Sequence, residues 1–119
     1  MHDYNVRMQQ LFQLSDLRSQ RLRNNRPYLE FLRVPAMSAG IYVLPAGGTD
    51  KQKPHQEDEI YYVLSGRARV LLRDAGGEEQ DLAVVPGDTI FVPARQEHHF
   101  HRISEELSLL VFFAPAEQE

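Results

Sequence analysis

Residues 53–66 read KPHQEDEIYYVLSG, an acid-rich polar loop that runs directly into an apolar strand. Successive side chains along a strand point to opposite faces, so His55, Glu59 and Tyr61 share one face if the strand begins this early. That face then carries an imidazole and a carboxylate close enough together to hold one ion. Gly66 is predicted to end the strand.

A second stretch, residues 87–100, reads GDTIFVPARQEHHF: a strand, a proline-containing turn and then histidines. The two stretches together resemble the two sequence motifs of the cupin family. The first motif is G-x5-H-x-H-x3,4-E-x6-G, and its positions are occupied here by Gly47, Lys53, His55, Glu59 and Gly66. The second is G-x5-P-x-G-x2-H-x3-N, and its positions are occupied by Gly87, Pro93, Arg95, His98 and Arg102.

Resemblance to cupins implies an all-β fold, the double-stranded β-helix or jelly-roll barrel. The residues support a closed β architecture independently, because short apolar segments alternate with turn residues and leave room for at most one helix. The predicted helix runs from Ser15, as N-cap, to Arg23. The eight predicted strands are 28–34, 38–44, the first-motif strand ending at Gly66, 67–73, 80–85, 89–92, 98–103 and 107–113.

The predicted organisation is an N-terminal arm and short helix over residues 1–27, the barrel over 28–114 and a frayed tail over 115–119. A chain of 119 residues is one domain of ordinary size. Its formal net charge of -4 argues against nucleic-acid binding. No apolar run approaches the ~20 residues that span a bilayer. The N-terminus lacks a signal-peptide pattern, so we expect a cytoplasmic protein.

The chain has no cysteine, so any metal must be held by nitrogen and oxygen ligands. By the resemblance, the metal ligands are His55, Glu59 and His98. Two histidines and one carboxylate leave coordination positions open for substrate or dioxygen. The implied cofactor is one divalent ion of iron, manganese, nickel, zinc or copper. His99 and His101 are expected on the surface or at an interface.

Lys53 stands where the first motif has a histidine. Either its side chain points to solvent, which leaves three protein ligands, or its ammonium pairs with Glu59 and the site is free of metal. Gln52 is an alternative source of a carbonyl ligand, although its strand parity is wrong unless the chain bulges there.

The expected substrate-binding residues surround this centre. Arg95 is either an anchor for an anionic ligand or a residue of a surface turn. Glu57 is expected to be a solvated loop acid rather than a second carboxylate ligand or a general base. The set comprises Gln52, Lys53, Arg95, Tyr61 and Phe100.

Two classes of function follow. The first is a metal-dependent cupin enzyme, of dioxygenase or isomerase type, that acts on a small organic molecule. The second is a non-catalytic, metal-free barrel that binds or senses a small molecule. A homodimer is expected in either case, through a surface formed by Tyr28, Phe31 and Ile41.

Overall fold

The computed structural model of the chain describes residues 8–118, so most of the predicted N-terminal arm lies outside the described residues. One helix and six strands follow in order: α1 (Leu14–Asn24), β1 (Tyr28–Val34), β2 (Met37–Leu44), β3 (Asp58–Arg73), β4 (Glu79–Val84), β5 (Thr89–Val92) and β6 (Glu97–Ala114). None of the helices in the described part of the chain is long and apolar enough to cross a membrane.

Two long antiparallel strands, β3 and β6, run through the whole sheet. The sheet order is β1-β2-β6-β3-β4, and β5 also pairs with β3. The first half of β3 pairs with β5 at Glu59–Tyr62, and the second half pairs with β4 at Ala68–Arg73. The prediction of an all-β jelly-roll barrel with a short N-terminal helix is confirmed.

The predicted end of a strand at Gly66 is wrong, because β3 continues through it. Gly66 has a φ of 99°, and a Cβ at this position would overlap the backbone carbonyl of Glu106. Glycine therefore lets β3 bend against β6, and the pairing continues with register shifts between Val63 and Arg69. The two strands predicted over 98–103 and 107–113 are likewise one strand, β6, which pairs with both halves of β3, so the eight predicted strands become six.

The core lies between the two halves of the barrel. Side chains alternate along β3, with Glu59, Tyr61 and Val63 buried and Ile60 and Tyr62 exposed. This is the period of two that a strand with one buried face requires. The alternation of faces predicted from the sequence is therefore the one observed along β3, and the side chains of Glu59 and Tyr61 both point inward.

Helix α1 covers the outer side of β2. Leu17 packs on Ile41 and Val43, with Phe31 at the edge of the same cluster. Because Ile41 is fully buried there, the surface predicted for dimerisation is covered by the protein's own helix. The helix begins one residue before the predicted N-cap Ser15, and Gln13 precedes it without a side-chain capping bond.

The C-terminal tail does not fray as predicted over its described residues. Ala116 is buried, and the backbone N–H of Glu117 donates to Ser38 Oγ at 2.9 Å. The backbone N–H of Gln118 donates to Glu57 Oε2 at 3.1 Å. These bonds hold the tail across the open end of the pocket described next.

Candidate metal centre

Three side chains of the predicted ligand set meet inside the barrel. His55 lies in the loop before β3, Glu59 on β3 and His98 on β6. One ligand atom from each lies within 4.8 Å of the other two. The side chain of His98 is 0% exposed and that of Glu59 is 1% exposed, so both face the interior of the barrel.

His98 presents its Nε2 to this interior. Its Nδ1–H donates to the backbone carbonyl of Gln96 at 3.0 Å, so in the neutral ring the lone pair lies on Nε2. Nε2 faces Glu59 Oε1 at 3.3 Å and the Tyr61 hydroxyl at 3.0 Å. Histidines that bind metals are oriented by such a hydrogen bond on the other nitrogen.

Glu59 has two buried oxygens, and neither has a hydrogen-bond partner among the described residues. With a neutral His98 ring, the contact at 3.3 Å does not satisfy them, because Nε2 then carries a lone pair rather than a proton. A buried carboxylate without donors carries an uncompensated desolvation cost. A divalent cation is the partner that a carboxylate beside imidazole nitrogens suits, so these residues fit such an ion.

His55 forms two hydrogen bonds across the mouth of the site. Its Nδ1 is 3.2 Å from Glu117 Oε2 and its Nε2 is 3.1 Å from Gln52 Oε1. The hydrogen bond to Glu117 raises the pKa of His55 above its usual value, against the opposing effect of burial, and Glu59 adds to the rise. A metal ion at Nε2 would replace the proton that Nε2 carries in this arrangement.

Gln52 belongs to the site, although strand parity argues against it. Residues 51–55 are not part of a strand, so parity does not apply to them. The side-chain amide of Gln52 donates from Nε2 to Asp50 Oδ2 at 2.8 Å. Its oxygen therefore faces His55 and also accepts the hydroxyl of Tyr61 at 3.0 Å.

Lys53 is exposed and lines a surface groove to which Gln52 and His98 also contribute. Of the two alternatives for Lys53, the structure shows the one in which its side chain points to solvent. Its role in substrate binding stays a prediction, since Lys53 lines this groove and not the pocket described next.

A pocket of about 160 Å³ opens beside His55 and Glu59, two of the three candidate ligands. It is roughly the volume of five water molecules, which suits a ligand of few heavy atoms. Its walls combine aromatic and polar side chains: Tyr28, Tyr42, Gln52, His55, Glu59, Tyr61, Val111, Phe113 and Glu117. Of the predicted substrate-binding residues, Gln52 and Tyr61 line it.

Tyrosine hydroxyls supply the proton donors of the pocket. Burial, and then the neighbouring Glu59, raises the pKa of Tyr61 well above its usual value, so its hydroxyl keeps its proton. The hydroxyl of Tyr28 is buried and has no partner among the described residues. The ring of Tyr28 lies against Gly40, where a Cβ would overlap it. Tyr28 therefore depends on that glycine for its position.

Three other predicted positions differ in the structure. Arg95 is exposed in a left-handed turn with a φ of 67° and lines a surface groove with Arg73, outside the pocket of the candidate centre. Phe100 is buried in the core against the ring of Tyr61, with centroids 5.0 Å apart, and does not line the pocket. Glu57 is buried rather than solvated, because the tail covers it and the backbone N–H of Gln118 donates a hydrogen bond to its carboxylate.

Sequence reasoning missed Asp50 and Glu117. The buried carboxylate of Asp50 accepts the Tyr42 hydroxyl at 2.9 Å and the backbone N–H of Phe100 at 2.9 Å, in addition to Gln52. The only signal for Asp50 is an acid placed soon after the Gly47-Gly48 turn, and that pattern is common on surfaces. Glu117 lies 62 residues after His55 in the chain, and no local pattern indicates their contact.

Comparisons with known proteins agree with this architecture. A family model described as a cupin domain matches residues 40–114. The chain therefore belongs to the cupin family.

A curated relative, an uncharacterized protein of Streptomyces coelicolor, is 47% identical over 106 residues, which cover 89% of this chain and 96% of that protein. Among solved structures, a single-residue variant of oxalate decarboxylase from Bacillus subtilis aligns with a TM-score of 0.65 and 25% identity, covering 68% of this chain. This chain spans only 22% of the length of that enzyme. Another structure of the enzyme, from work on its Mn(II) centres, aligns with a TM-score of 0.66, 20% identity and coverage of 74% of this chain and 27% of the enzyme.

Proposed function

We propose that this cupin holds a divalent cation on His55, Glu59 and His98 and binds a small organic molecule beside it. The observation that carries the proposal is Glu59: neither of its buried oxygens has a hydrogen-bond partner among the described residues, and Oε1 lies 3.3 Å from a ring nitrogen of His98 whose other nitrogen is fixed by a backbone carbonyl. Manganese is the first ion to test, because the Bacillus subtilis enzyme with the similar fold has Mn(II) centres.

When bound, a cation in such a site polarises and orients an oxygen of the ligand. The chain itself contributes the walls and the proton donors. Tyr61 and Tyr28 offer hydroxyl protons, while Val111 and Phe113 exclude water from one side of the pocket. No lysine or arginine lines the pocket among the described residues. The ligand is therefore a small oxygen-bearing molecule recognised by the cation and the tyrosines rather than by a basic side chain.

Conversion of that molecule, of dioxygenase or isomerase type, is the reaction class we propose. Its support is a cation centre with few protein donors beside a pocket, which leaves positions for a ligand. Localisation in the cytoplasm and the absence of nucleic-acid partners stay predictions from composition.

Metal content of untagged protein tests the proposal. After incubation with manganese, iron, nickel and zinc, elemental mass spectrometry should find near one equivalent of metal per chain in the wild type. His98→Ala should lose at least about tenfold in metal affinity, and its bound metal should fall accordingly. His99→Ala is the matched control, since His99 neighbours His98 but lies on the other face of β6. An absence of metal in the wild type under all four conditions would overturn the proposal.

A second candidate is a metal-free binding or sensor protein. The observation in its favour is that His55, Gln52 and Tyr61 already satisfy one another by hydrogen bonds without an ion. Binding of small carboxylic acids to chelator-treated protein, followed by calorimetry, distinguishes the two. The metal-dependent function predicts binding only after an ion is restored, and the sensor predicts equal binding before and after.

The homodimer is also a proposal, with a surface other than the predicted one. Ile60 and Phe91 are register partners on the outer face of β3 and β5, and they are 41% and 57% exposed. Tyr62, on the same face, is 40% exposed. Large neighbouring apolar side chains left in solvent are typical of an interface, and a second copy offers the same face by two-fold symmetry.

A further inference from the structure

We infer that Gln52 supplies a fourth, neutral oxygen ligand to this centre, in place of the histidine that the family motif has at the next residue. The inference rests on the proposed function. It goes beyond that function because it names a donor that neither the motif nor the grouping of histidines and acids includes.

The position of the amide oxygen suits a ligand. Gln52 Oε1 is 3.1 Å from His55 Nε2 and 3.0 Å from the Tyr61 hydroxyl, which in turn is 3.0 Å from His98 Nε2. Two ligand atoms at right angles on one ion, each about 2.1 Å from it, lie ~3 Å apart. The oxygen therefore has the spacing from His55 that adjacent ligands of one ion have.

The orientation of the amide is determined by Asp50. An ionised carboxylate accepts hydrogen bonds only, so the NH₂ group of Gln52 must face Asp50 Oδ2, 2.8 Å away, and the oxygen must face the site. Asp50 is itself held by the Tyr42 hydroxyl and the backbone of Phe100. The amide oxygen is thus directed toward His55 before any ion binds.

The local backbone explains why Gln52 rather than Lys53 points inward. The backbone N–H of Gln52 lies 3.3 Å from Asp50 Oδ1, the two-residue contact of an Asx turn. This turn directs Gln52 into the barrel, and Lys53 follows on the exposed side. The substitution of lysine for the motif histidine therefore leaves the inward position to the preceding residue.

An amide oxygen changes which ion the site prefers. Carboxylate and carbonyl oxygens suit manganese, whereas imidazole nitrogens suit zinc, copper and nickel. A centre with two histidines, one glutamate and one glutamine has one imidazole fewer than the four-ligand motif. We expect its preference for zinc over manganese to be smaller than that of a centre with three histidines.

Competition between manganese and zinc tests the inference. Gln52→Ala should weaken manganese binding by at least about tenfold, because a directly bonded atom is lost. Gln52→His should shift the zinc-to-manganese affinity ratio by at least about tenfold toward zinc. Lys53→Ala is the matched control, and it should leave both affinities within about twofold. The readouts are bound metal per chain and the Mn(II) paramagnetic resonance spectrum, with melting temperature as the check on folding.

The outcomes separate this inference from the proposed function. If the wild type binds manganese, His98→Ala does not, and Gln52→Ala keeps the wild-type affinity and spectrum, Gln52 is not a ligand and the three-ligand centre stands. If the wild type binds no ion, the centre itself is refuted and the inference with it. If Lys53→Ala lost as much manganese affinity as Gln52→Ala, the inference would also be overturned. The ligand would then be Lys53, which stands at the motif position.

Discussion

Glu59 is the residue on which the stability of the metal-loaded protein should depend. Neither of its two oxygens has a hydrogen-bond partner by geometry in the described part of the chain, although His98 and Tyr61 lie beside them, so an ion adds direct ligation that these contacts do not provide. At an ion concentration of one hundred times Kd, binding to the folded state alone adds about 2.7 kcal/mol to the free energy of unfolding.

We therefore expect thermal denaturation of the wild type to shift upward with added manganese, and Glu59→Gln to show no such shift. The metal-free melting temperature of Glu59→Gln should be at least that of the wild type, because the substitution removes an unsatisfied buried carboxylate. A manganese-dependent shift of equal size in both proteins would contradict the role given to Glu59.

Asp81 is a single residue to which a pH dependence of the folding stability can be assigned. It is exposed on β4, where His101 Nε2 lies 2.9 Å and Arg69 Nε 3.0 Å from Asp81 Oδ1. The hydrogen bond to His101, with help from Arg69, lowers the pKa of Asp81 below its usual value. A carboxyl whose pKa is lower in the folded state stabilises the fold above its unfolded pKa of about 3.9, and this contribution is lost as the pH falls through the folded pKa.

His101→Ala should therefore raise the pKa of Asp81 toward the ordinary value, as measured by NMR titration of the carboxyl carbon. His99→Ala is the control, because its ring packs beside that of His101 without a hydrogen bond to Asp81. An unchanged Asp81 pKa in His101→Ala would mean that Arg69 alone accounts for the shift.

The C-terminal tail acts as a structural element of the site, although it has no regular secondary structure. It brings Glu117 against His55 and covers Glu57. Deletion of residues 115–119 should cost on the order of 2–4 kcal/mol, the sum of a neutral and a charge-assisted hydrogen bond. It should also weaken metal binding by roughly 10- to 100-fold, because His55 loses the partner that orients it.

Glu117→Gln separates these two effects. It keeps the backbone bonds of the tail to Ser38 and Glu57 and changes only the group that faces His55. Chemical denaturation should show near wild-type stability for this variant, and calorimetry should show weaker metal binding. Wild-type metal affinity in the deletion variant would show that the tail has no part in the centre.

The same elements show what the sequence could and could not predict. The inward positions of Glu59 and His98, the candidate ligands, follow from motif spacing and strand alternation, because both lie where β3 and β6 are regular. The inward position of Gln52 could not be predicted in this way. The chain before β3 is not a strand, and a contact of the Gln52 backbone with the Asp50 side chain sets its direction instead. The continuity of β3 at Gly66 was also missed, since glycine both ends strands and permits bends, and only the distant partner β6 decides between them.

At the scale of the molecule, the exposed apolar face around Phe91 is the surface at which we predict that a second copy binds. If a second copy covers Ile60, Tyr62 and Phe91, light scattering after size exclusion should give the mass of a dimer. Phe91→Asp should then give a monomer, because a carboxylate at the centre of the interface is desolvated without a partner. Leu22→Asp, on the exposed side of α1, is the control and should stay dimeric. A monomeric wild type at working concentration would refute the dimer.

The crowding of tyrosines around the pocket has a spectroscopic consequence. The chain contains no tryptophan and five tyrosines, so its near-ultraviolet absorption and emission come chiefly from phenol rings. Tyr28, Tyr42 and Tyr61 line the pocket, Tyr62 lies outside, and Tyr4 is not among the described residues. Most of the intrinsic chromophores therefore surround the binding site. Tyrosine absorption or fluorescence can therefore be used to titrate an ion or a ligand into the pocket without any added label.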